Sequence, residues 1–396
     1  MRARGAIAFG VALIAFLVLG VYLGGHPSKL PSFARETFTE EPTSLVAEAS
    51  EIIRDNYFRK VGDTELGNAS LQGMVRELRK RHKDRFSDYF SPESLEGFNQ
   101  QIEGRFSGIG LSVVSAKRGL HVVKVFKGSP AEKGGIEAGD TIVSVEGESI
   151  AGLDSTAATG KIKGPEGSEV TIGVEDGKTH KVSEKTLVRA EVELPNVSSR
   201  TFRTDGRTIG YVRLFSFSAD ASKQLAHGIE KVKGEGAEGL VLDLRENPGG
   251  LLDEAVATAS LFLPEGQVVV TTKSRTKGDS TKKTSAGKIV DVPFDVLVDR
   301  NTASSAEILT AALNEDGDAT VVGTRTYGKG VFQEEHDLEN GGALKLTVGE
   351  FFTPNGENLA RTGGIHPEVK VVDKPGTAVD EARQKALETV AAQVTG

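Results

Sequence analysis

The chain has 396 residues, of which 38% are hydrophobic and 26% charged, and its formal net charge at pH 7 is −8. This length and composition are ordinary for two or three globular domains, and an acidic chain gives no reason to expect a nucleic-acid partner. The absence of cysteine excludes disulfides, thiolate catalysis and zinc-thiolate sites, and the scattered histidines form no HExxH pair, so no metal and no cofactor are expected.

The N-terminal segment differs from the rest of the chain. Arg2 and Arg4 precede a run without charged residues at 6–23, which is close to the shortest helix that crosses a bilayer. The two arginines favour a cytoplasmic N-terminus with the remainder of the chain exported. We therefore predict a transmembrane anchor at 1–25, with a cleaved signal peptide and secretion as the alternative. A proline-containing linker is predicted at 26–43.

Two kinds of pattern follow the linker. Apolar residues recur at helical spacing within 44–102, which predicts a helical N-terminal region suited to capping or self-association. Short β-like runs separated by glycines then predict a mainly-β domain at 103–186. Its strands are predicted at 109–114, 120–125, 141–145 and 170–174, with a helix starting at Ser129-Pro130.

Strands and helices alternate from Thr208 onward, which predicts an α/β core with a largely parallel sheet at 187–376. The predicted strands are 209–215, 239–244, 268–272, 296–298 and 320–322, and the predicted helices are 219–232, 251–262 and 304–314. The polar, basic stretch at 273–288 is predicted to be an exposed loop. A helix over 379–392 lies within a separate C-terminal segment at 377–396.

A serine pair stands where a predicted strand turns into a helix. Ser304 and Ser305 follow Asn301-Thr302-Ala303 and precede Glu307. A hydroxyl at this point lies at the positive end of a helix beside free backbone N–H groups, which can stabilise an oxyanion. Ser304 and Glu307 also form a capping box, which needs no catalytic role. The segment alone leaves both interpretations open.

A base for such a serine could come from the run Gly328-Lys329-Gly330. Lysine acts as a base only where burial lowers its pKa, and Gln333 could position the amine by hydrogen bonding. An exposed lysine in a glycine-rich turn is the alternative. Gly323 and Gly328-Lys329 also match a P-loop up to Gly330, where Ser or Thr should follow, and the next residues read as a strand. The nucleotide-binding interpretation is therefore rejected.

Two glycine-rich turns complete the set of candidate sites. The strand 240–244 leads into the turn Asn247-Pro248-Gly249-Gly250, whose bare N–H groups could contribute to an oxyanion hole. The alternative is a tight βα connection braced by Asp243 and Arg245. Gly108-Ile109-Gly110-Leu111 precedes a strand and could bind a carboxylate, with the strand accepting an extended peptide. An ordinary turn is the alternative.

Together these segments resemble the C-terminal processing (tail-specific) peptidases, PDZ-containing serine proteases of the S41 type, over about residues 44–376. The resemblance implies Ser304 as nucleophile, Lys329 as general base, Gln333 as the residue that orients the lysine, and an oxyanion hole from the N–H groups of Gly250 and Ser305. It also implies that the N–H groups of Ile109, Gly110 and Leu111 bind the terminal carboxylate of a substrate. Lys163 departs from the family pattern, in which arginine is common; if this position links the PDZ domain to the active site, lysine gives weaker, non-bidentate contacts.

The expected function is therefore that of a membrane-anchored, extracytoplasmic serine endopeptidase that cuts proteins with exposed apolar tails near their C-termini. A Ser-His-Asp scheme would need His336, the only histidine near these residues in sequence. The leading non-enzyme alternative is a PDZ adaptor on an inactive protease scaffold. A thioester-processing enzyme would require a CoA site, for which the sequence offers no sign. The terminal helices leave a homodimer open.

Overall fold

The computed structural model describes residues 41–193, 196–373 and 379–394. The predicted anchor and nearly all of the predicted linker lie outside these ranges. Within them, no helix has the length and apolar character required to span a bilayer. The chain divides into two compact units. The described part of the first comprises 41–92 with 335–346, and the second comprises the described residues of 93–334 and 347–396.

The first unit is built on two helices and a short strand, which confirms the predicted helical N-terminal region. Its elements are α1 Glu41–Asn56, α2 Asp63–His82 and β1 Asp88–Phe90. Strand β1 pairs antiparallel with residues 343–345. Val75 is buried, whereas Ile52 and Phe58 are among the exposed apolar side chains of this unit. Self-association through these helices stays a prediction.

The second unit begins with a mainly-β domain. Its elements are α3 Pro92–Glu103, β2 Arg105–Gly108, β3 Leu111–Ala116, β4 Gly119–Val125, α4 Pro130–Lys133, β5 Thr141–Val145, β6 Glu148–Ser149, α5 Ser155–Ile162, β7 Glu169–Glu175, β8 Val182–Val188 and β9 Ala190–Glu193. Strands β3, β4, β5, β7 and β8 form an antiparallel sheet in that order, while β2 and β9 form a separate two-stranded ribbon. The four predicted strands are confirmed within two residues at each end.

Helix α5 was not among the predicted elements. It begins after Asp154, whose side chain accepts a hydrogen bond from the Ala157 N–H at 2.8 Å. The buried Ala158 and Ile162 turn one side of the helix to the domain core. The aspartate cap is a readable helix start, but the eight-residue helix is too short for a clear apolar period.

The α/β core carries the predicted parallel sheet. Its order is β10-β11-β12-β15-β16-β19, antiparallel between the first two strands and parallel between the others. The bounds are β10 Val197–Thr204, β11 Arg207–Leu214, α6 Ala221–Gly234, β12 Gly239–Asp243, α7 Leu252–Ala259, β13 Val268–Ser274, β14 Gly278–Lys283, β15 Phe294–Val298, α8 Ser305–Glu315, β16 Thr320–Gly323, β17 Val331–Asp337, β18 Ala343–Phe352, α9 Leu359–Thr362, β19 Val369–Lys370 and α10 Glu381–Gln393.

Strand side chains alternate between two apolar layers because successive residues of a strand point to opposite faces of the sheet. Leu240 and Leu242 pack with helices α6, α7 and α8, whereas Val241 packs with α10 on the other face. Strands β12 and β15 are buried throughout, which agrees with their largely apolar sequences.

The predicted exposed loop at 273–288 is wrong in part. Strand β13 continues to Ser274, and residues 278–283 form β14, which pairs antiparallel with it. Strand β13 also pairs with residues 349–352 of β18. Strand β14 is the polar edge of this second sheet, and nearly all its residues are exposed. With little apolar surface on either face, it has no alternation from which a strand could have been predicted.

Candidate active site

Ser304 occupies a strained turn between β15 and α8. Its backbone angles are φ 56° and ψ −121°, and helix α8 begins at the next residue. Residues other than glycine rarely adopt a positive φ, and the ψ of Ser304 lies far from the left-handed helical region that such residues can occupy. Such a conformation costs on the order of 1–3 kcal/mol and is typical of functional sites. This strained backbone distinguishes Ser304 from an ordinary helix-capping serine, whose backbone is extended.

Gly249 and Glu307 hold this turn from two sides. The Glu307 Oε2 accepts a hydrogen bond from the Ser304 N–H at 2.9 Å, which forms the carboxylate half of the expected capping box. A Cβ atom on Gly249, at φ +94°, would stand 2.8 Å from the Ser304 Cβ and 2.9 Å from the Ser305 nitrogen. Only glycine therefore allows the turn after β12 to approach the serine so closely.

The same carboxylate also binds the loop that carries Lys329. Its Oε2 accepts the Lys329 N–H at 3.0 Å, and its Oε1 accepts the Gly328 N–H at 2.7 Å and the Thr326 hydroxyl. Because one oxygen accepts from both Ser304 and Lys329, their backbone nitrogens lie at most about 6 Å apart. Glu307 is fully buried, and burial raises the pKa of its carboxyl above the ordinary value, against the hydrogen bonds it accepts.

The amine of Lys329 is oriented by the next strand. Its Nζ donates to the Gln333 Oε1 at 2.7 Å, and the Gln333 Nε2 donates to the Thr347 hydroxyl at 3.2 Å. All three side chains are partly buried. The predicted contact between Lys329 and Gln333 is therefore present, and it joins the loop before β17 to the strand itself, which begins at Val331.

The two predicted oxyanion donors lie next to each other. The Ser305 hydroxyl donates to the Gly250 carbonyl at 2.8 Å, so the glycine turn and the start of α8 are in direct contact. Within the described residues, neither the Gly250 N–H nor the Ser305 N–H has a hydrogen-bond acceptor. Unpaired N–H groups at a helix start are suited to binding a developing negative charge.

Asp243 and Arg245 pair as a brace, which was one of the two interpretations of this segment. Arg245 donates to the fully buried Asp243 and, from the same guanidinium, to Asp380 at 2.8 Å. Asp380 immediately precedes α10. The brace thus ties the end of β12 to the C-terminal helix. The partnership of Asp380 was missed because 135 residues separate it from Arg245.

The predicted carboxylate-binding turn lines a groove of the mainly-β domain. Ile109, Gly110 and Leu111 lie there with side chains of β3, β5 and α5. A Cβ on Gly110 would stand 2.2 Å from the Ser129 Cβ, and its φ is +83°, so glycine is required. Strand β3 is an edge of its sheet and can accept an added strand. Lys163 lines the groove with an exposed side chain.

Two further residues bear on the candidate active site, one predicted as an alternative base and one not predicted. His336 is exposed on β17. Thr302 was not selected from the sequence, although its buried hydroxyl donates to the Leu244 carbonyl at 2.8 Å and its carbonyl accepts the Tyr327 N–H at 3.0 Å. It therefore joins the strand that precedes the glycine turn to the lysine loop. Within the described residues, no cluster of His, Asp or Glu is suited to holding a metal ion.

Comparison with known proteins defines the class. Residues 208–371 match the model of Peptidase family S41, and residues 98–175 match that of the PDZ domain. The carboxy-terminal processing protease CtpA of Bacillus subtilis is 31% identical over 365 residues, which is 91% of this chain and 76% of that protein. The chain therefore belongs to peptidase family S41 and contains a PDZ domain. The resemblance inferred from the motifs is confirmed.

Other relatives agree with this assignment. A probable CtpA-like serine protease of Staphylococcus aureus (strain N315) is 35% identical over 327 residues, which make up 82% of this chain. The match spans 64% of the length of that relative. The photosystem II D1 C-terminal processing protease superposes with a TM-score of 0.51 at 24% identity, over 90% of this chain and all of the other. A putative S41 protease from Bacteroides fragilis NCTC 9343 gives 0.53 at 18% identity, over 88% and 97%. These two structures support the fold alone.

Proposed function

We propose that the chain is a serine endopeptidase that cleaves protein substrates near their C-termini through a Ser304–Lys329 dyad. The observation that carries the proposal is the strained Ser304 turn, which Glu307 ties to the backbone of Lys329 and which adjoins the Gly250 turn. Family membership supports a protease, and the relative in Bacillus subtilis is a carboxy-terminal processing protease.

In the proposed reaction the Ser304 Oγ attacks the carbonyl carbon of the scissile peptide while the Lys329 Nζ takes the hydroxyl proton. The resulting oxyanion is bound by the N–H groups of Gly250 and Ser305. The ammonium of Lys329 then protonates the departing amine, which leaves an acyl-enzyme on Ser304. Water hydrolyses this ester with Lys329 acting again as base. In this proposal Gln333, whose Oε1 accepts a hydrogen bond from the Lys329 Nζ at 2.7 Å, orients the amine.

In the same proposal the PDZ domain recognises the substrate. The terminal carboxylate binds the N–H groups of Ile109, Gly110 and Leu111, and the tail adds to the edge of β3. The groove also has Ile142 and Ile162 in its wall, which suits an apolar last residue. The expected partners are therefore proteins with exposed apolar C-terminal tails. Residues 1–25 would hold the enzyme on the outer side of the cell membrane.

The test is hydrolysis of a fluorescein-labelled 25-residue unstructured peptide that ends in Ala-Val-Val with a free carboxylate. Ser304→Ala and Lys329→Ala are each expected to lower kcat by roughly a thousandfold or more, because the nucleophile and its base act as a unit. His336→Ala serves as the control and should keep wild-type kcat.

Each alternative predicts a different result in this assay. Activity that persists in Ser304→Ala would remove the nucleophile assignment. Full activity of Lys329→Ala together with an inactive His336→Ala would favour the histidine scheme. Wild-type protein that binds the peptide tightly and never cleaves it would identify a PDZ adaptor.

A further inference from the structure

A cavity of about 370 Å³ lies at the carboxyl-terminal edge of the parallel sheet, and we call it the edge cavity. Its wall includes residues at the ends of five neighbouring strands, namely Arg213, Arg245, Val298, Gly323 and Val371. In the described part of the chain, no residue assigned above to the dyad, the oxyanion hole or the PDZ groove lines it. Its volume suits a small molecule, and open parallel sheets commonly bind ligands at this edge.

The register of the strands places the edge cavity on the side of the sheet that carries α10. Tyr211 and Leu297 belong to the apolar layer beneath this helix. Side chains two residues further along a strand point to the same face, so Arg213 and Asp299 follow them into the cavity wall. Ala382 of α10 lines the cavity as well, whereas α8 packs on the opposite face. The edge cavity and the start of α8 therefore belong to different sides of the sheet.

Arg213 is held in place but has unused hydrogen-bond donors. Its Nη2 donates to the Arg245 carbonyl at 3.2 Å, and its guanidinium lies over the ring of Phe215, 4.9 Å from the ring centroid. The Arg213 Nε is buried and has no hydrogen-bond partner among the described residues. Because buried polar atoms almost always have a partner, this unpaired donor on a cavity wall favours an acceptor that enters the cavity.

Arg300 supplies a second guanidinium with spare donors. It lines the edge cavity, and its exposed side chain has neither a hydrogen bond nor an ion pair with any described residue. Arg245, the third arginine of the wall, is instead occupied by Asp243 and Asp380. Two planar groups that can each bind an oxyanion through two N–H bonds therefore remain available in one cavity.

The four carboxylates of the wall already accept hydrogen bonds from the protein. Asp380 accepts from Arg245, Asp373 from the Ala382 N–H, Asp299 from the Glu246 N–H and Glu246 from the Asn301 side chain. The unused capacity of the wall thus lies with its donors and calls for an acceptor. Since four carboxylates face three guanidiniums, a ligand with one negative charge meets less repulsion than a dianion.

The edge cavity also adjoins the start of each proposed active-site loop. Arg300 precedes Ser304 by four residues, and Glu246 precedes Gly250 by four. Four residues of chain span at most about 14 Å. The loop that carries the lysine begins at Thr324, which is in the cavity wall as well. A ligand in the cavity would therefore contact the first residues of all three loops.

We propose that the edge cavity is a binding site for a small organic monocarboxylate. Arg213 and Arg300 bind the carboxylate of the ligand, and its apolar part packs against Val298, Val371 and Val372 in the same wall. The site is separate from the groove that takes the substrate tail and from the dyad. The inference does not depend on the proposed peptidase function.

The test measures binding of N-acetyl-L-valine to the full-length protein by titration calorimetry. This probe has one carboxylate and one branched apolar side chain, and we expect a Kd on the order of 1 mM or lower. N-acetyl-L-valinamide is the matched control, because it differs only in lacking the charge, and it should bind at least about tenfold more weakly. Inorganic phosphate should also bind at least about tenfold more weakly than the acid. Equal affinity for acid and amide, or tighter binding of phosphate, would overturn the assignment of the ligand.

Variants of the two arginines test which groups bind the carboxylate. Arg300→Gln removes an exposed side chain without a described partner, so the protein should fold, and the Kd for N-acetyl-L-valine should rise about tenfold or more. Arg213→Lys keeps the charge but loses the planar fork, and we expect a rise of about fivefold or more. Arg325→Gln is the control, since Arg325 is also exposed and follows Thr324 without lining the cavity. Its Kd should stay within about twofold of wild type, and an unchanged Kd in Arg300→Gln would overturn the proposal.

Amide hydrogen exchange locates the bound probe. N-acetyl-L-valine should slow exchange at 245–247 and 299–302, which border the edge cavity, and the effect should be lost in Arg300→Gln. Protection confined to 105–113 would place the probe in the PDZ groove and overturn the proposal. These measurements do not use turnover. An inactive wild-type enzyme that still binds the probe in the edge cavity would therefore refute the proposed function and leave this inference supported.

Discussion

The carboxylate of Glu307 serves both halves of the candidate active site. A capping box requires only that it accept the N–H of the residue at the start of the helix, and it does so for Ser304. It also accepts two backbone N–H groups of the lysine loop and the hydroxyl of Thr326. One buried side chain therefore both caps the helix and binds the lysine loop, and in the proposed mechanism it would align the dyad.

Replacing this carboxylate with an amide tests the alignment. Glu307→Gln leaves one acceptor oxygen where four donors converge, and its NH₂ group must face N–H donors. We expect kcat to fall roughly tenfold to a hundredfold through misplacement of the dyad, and the free energy of unfolding to fall by about 1–3 kcal/mol. Peptide hydrolysis and urea denaturation measure the two effects.

Glu315→Gln is the control on the same helix. Burial also raises the pKa of Glu315, which accepts the Asn355 N–H in the last turn of α8, far from Ser304 along the helix. Its kcat should equal that of wild type. If Glu307→Gln hydrolyses peptide at the wild-type rate, Glu307 is a helix cap and nothing more.

Single residues also mark the limit of what the sequence could predict. Ser304, Lys329 and Gln333 were selected because each sits in a short segment whose residue types suit the chemistry. The long-range bonds of Glu307, Thr302 and Asp380 carry no such signal. Their partners lie 19 to 135 residues away, and only the fold brings them together. The positive φ of Ser304 could not be predicted either, because glycine is the usual sequence signal for positive φ and this position holds serine.

At the level of elements, the sheet and its helices were predicted wherever apolar periodicity was strong. The buried parallel strands β12, β15 and β16 were located within two residues. Helix α5 and strand β14 escaped because the first is short and the second is polar on both faces. The contact of the C-terminal helix α10 with the outer face of the sheet could not be inferred, although its helical pattern was evident.

This contact between α10 and the sheet contains a buried titratable group. Asp295 of β15 is fully buried and accepts hydrogen bonds from Gln393 of α10 at 3.0 Å and from the Thr320 N–H at 3.1 Å. Its second oxygen has no partner among the described residues. Burial raises the pKa of the Asp295 carboxyl to about 6.

The raised pKa predicts a pH-dependent loss of stability. In the unfolded chain Asp295 releases its proton near pH 4, whereas in the folded protein it keeps it until about pH 6. The folded state therefore binds more protons in this window, and its stability falls as pH rises through it. The cost is roughly 2–3 kcal/mol, fully present above pH 6.

Urea denaturation at pH 4.5, 5.5 and 7.5 checks this prediction in wild type and in Asp295→Asn, which cannot titrate. The quantity to compare is the change in unfolding free energy with pH, since the absolute stability of the variant also reflects its new amide. Wild type should lose more stability than the variant between pH 4.5 and 7.5. Parallel pH profiles in the two proteins would show that Asp295 does not titrate in this range.

For the whole molecule, the N-terminal sequence predicts where the protein is located. The N-terminal apolar run predicts that the full chain is anchored in the membrane, and the positive flank predicts that the peptidase faces outward. A chain lacking residues 1–25 should remain in the soluble fraction, whereas the full chain should stay with membranes through an alkaline carbonate wash. A mature protein whose N-terminus maps near residue 26 would instead identify a cleaved signal.

The backbone of Ser304 has a consequence for how the chain came to have this sequence. Glycine would adopt φ 56° and ψ −121° without penalty, so a protein that only captured peptide tails would be more stable with glycine there. In a protein without catalytic activity, a serine at this position would add backbone strain and bring no advantage. The torsion angles of Ser304 therefore favour the proposed peptidase over a peptide-binding adaptor.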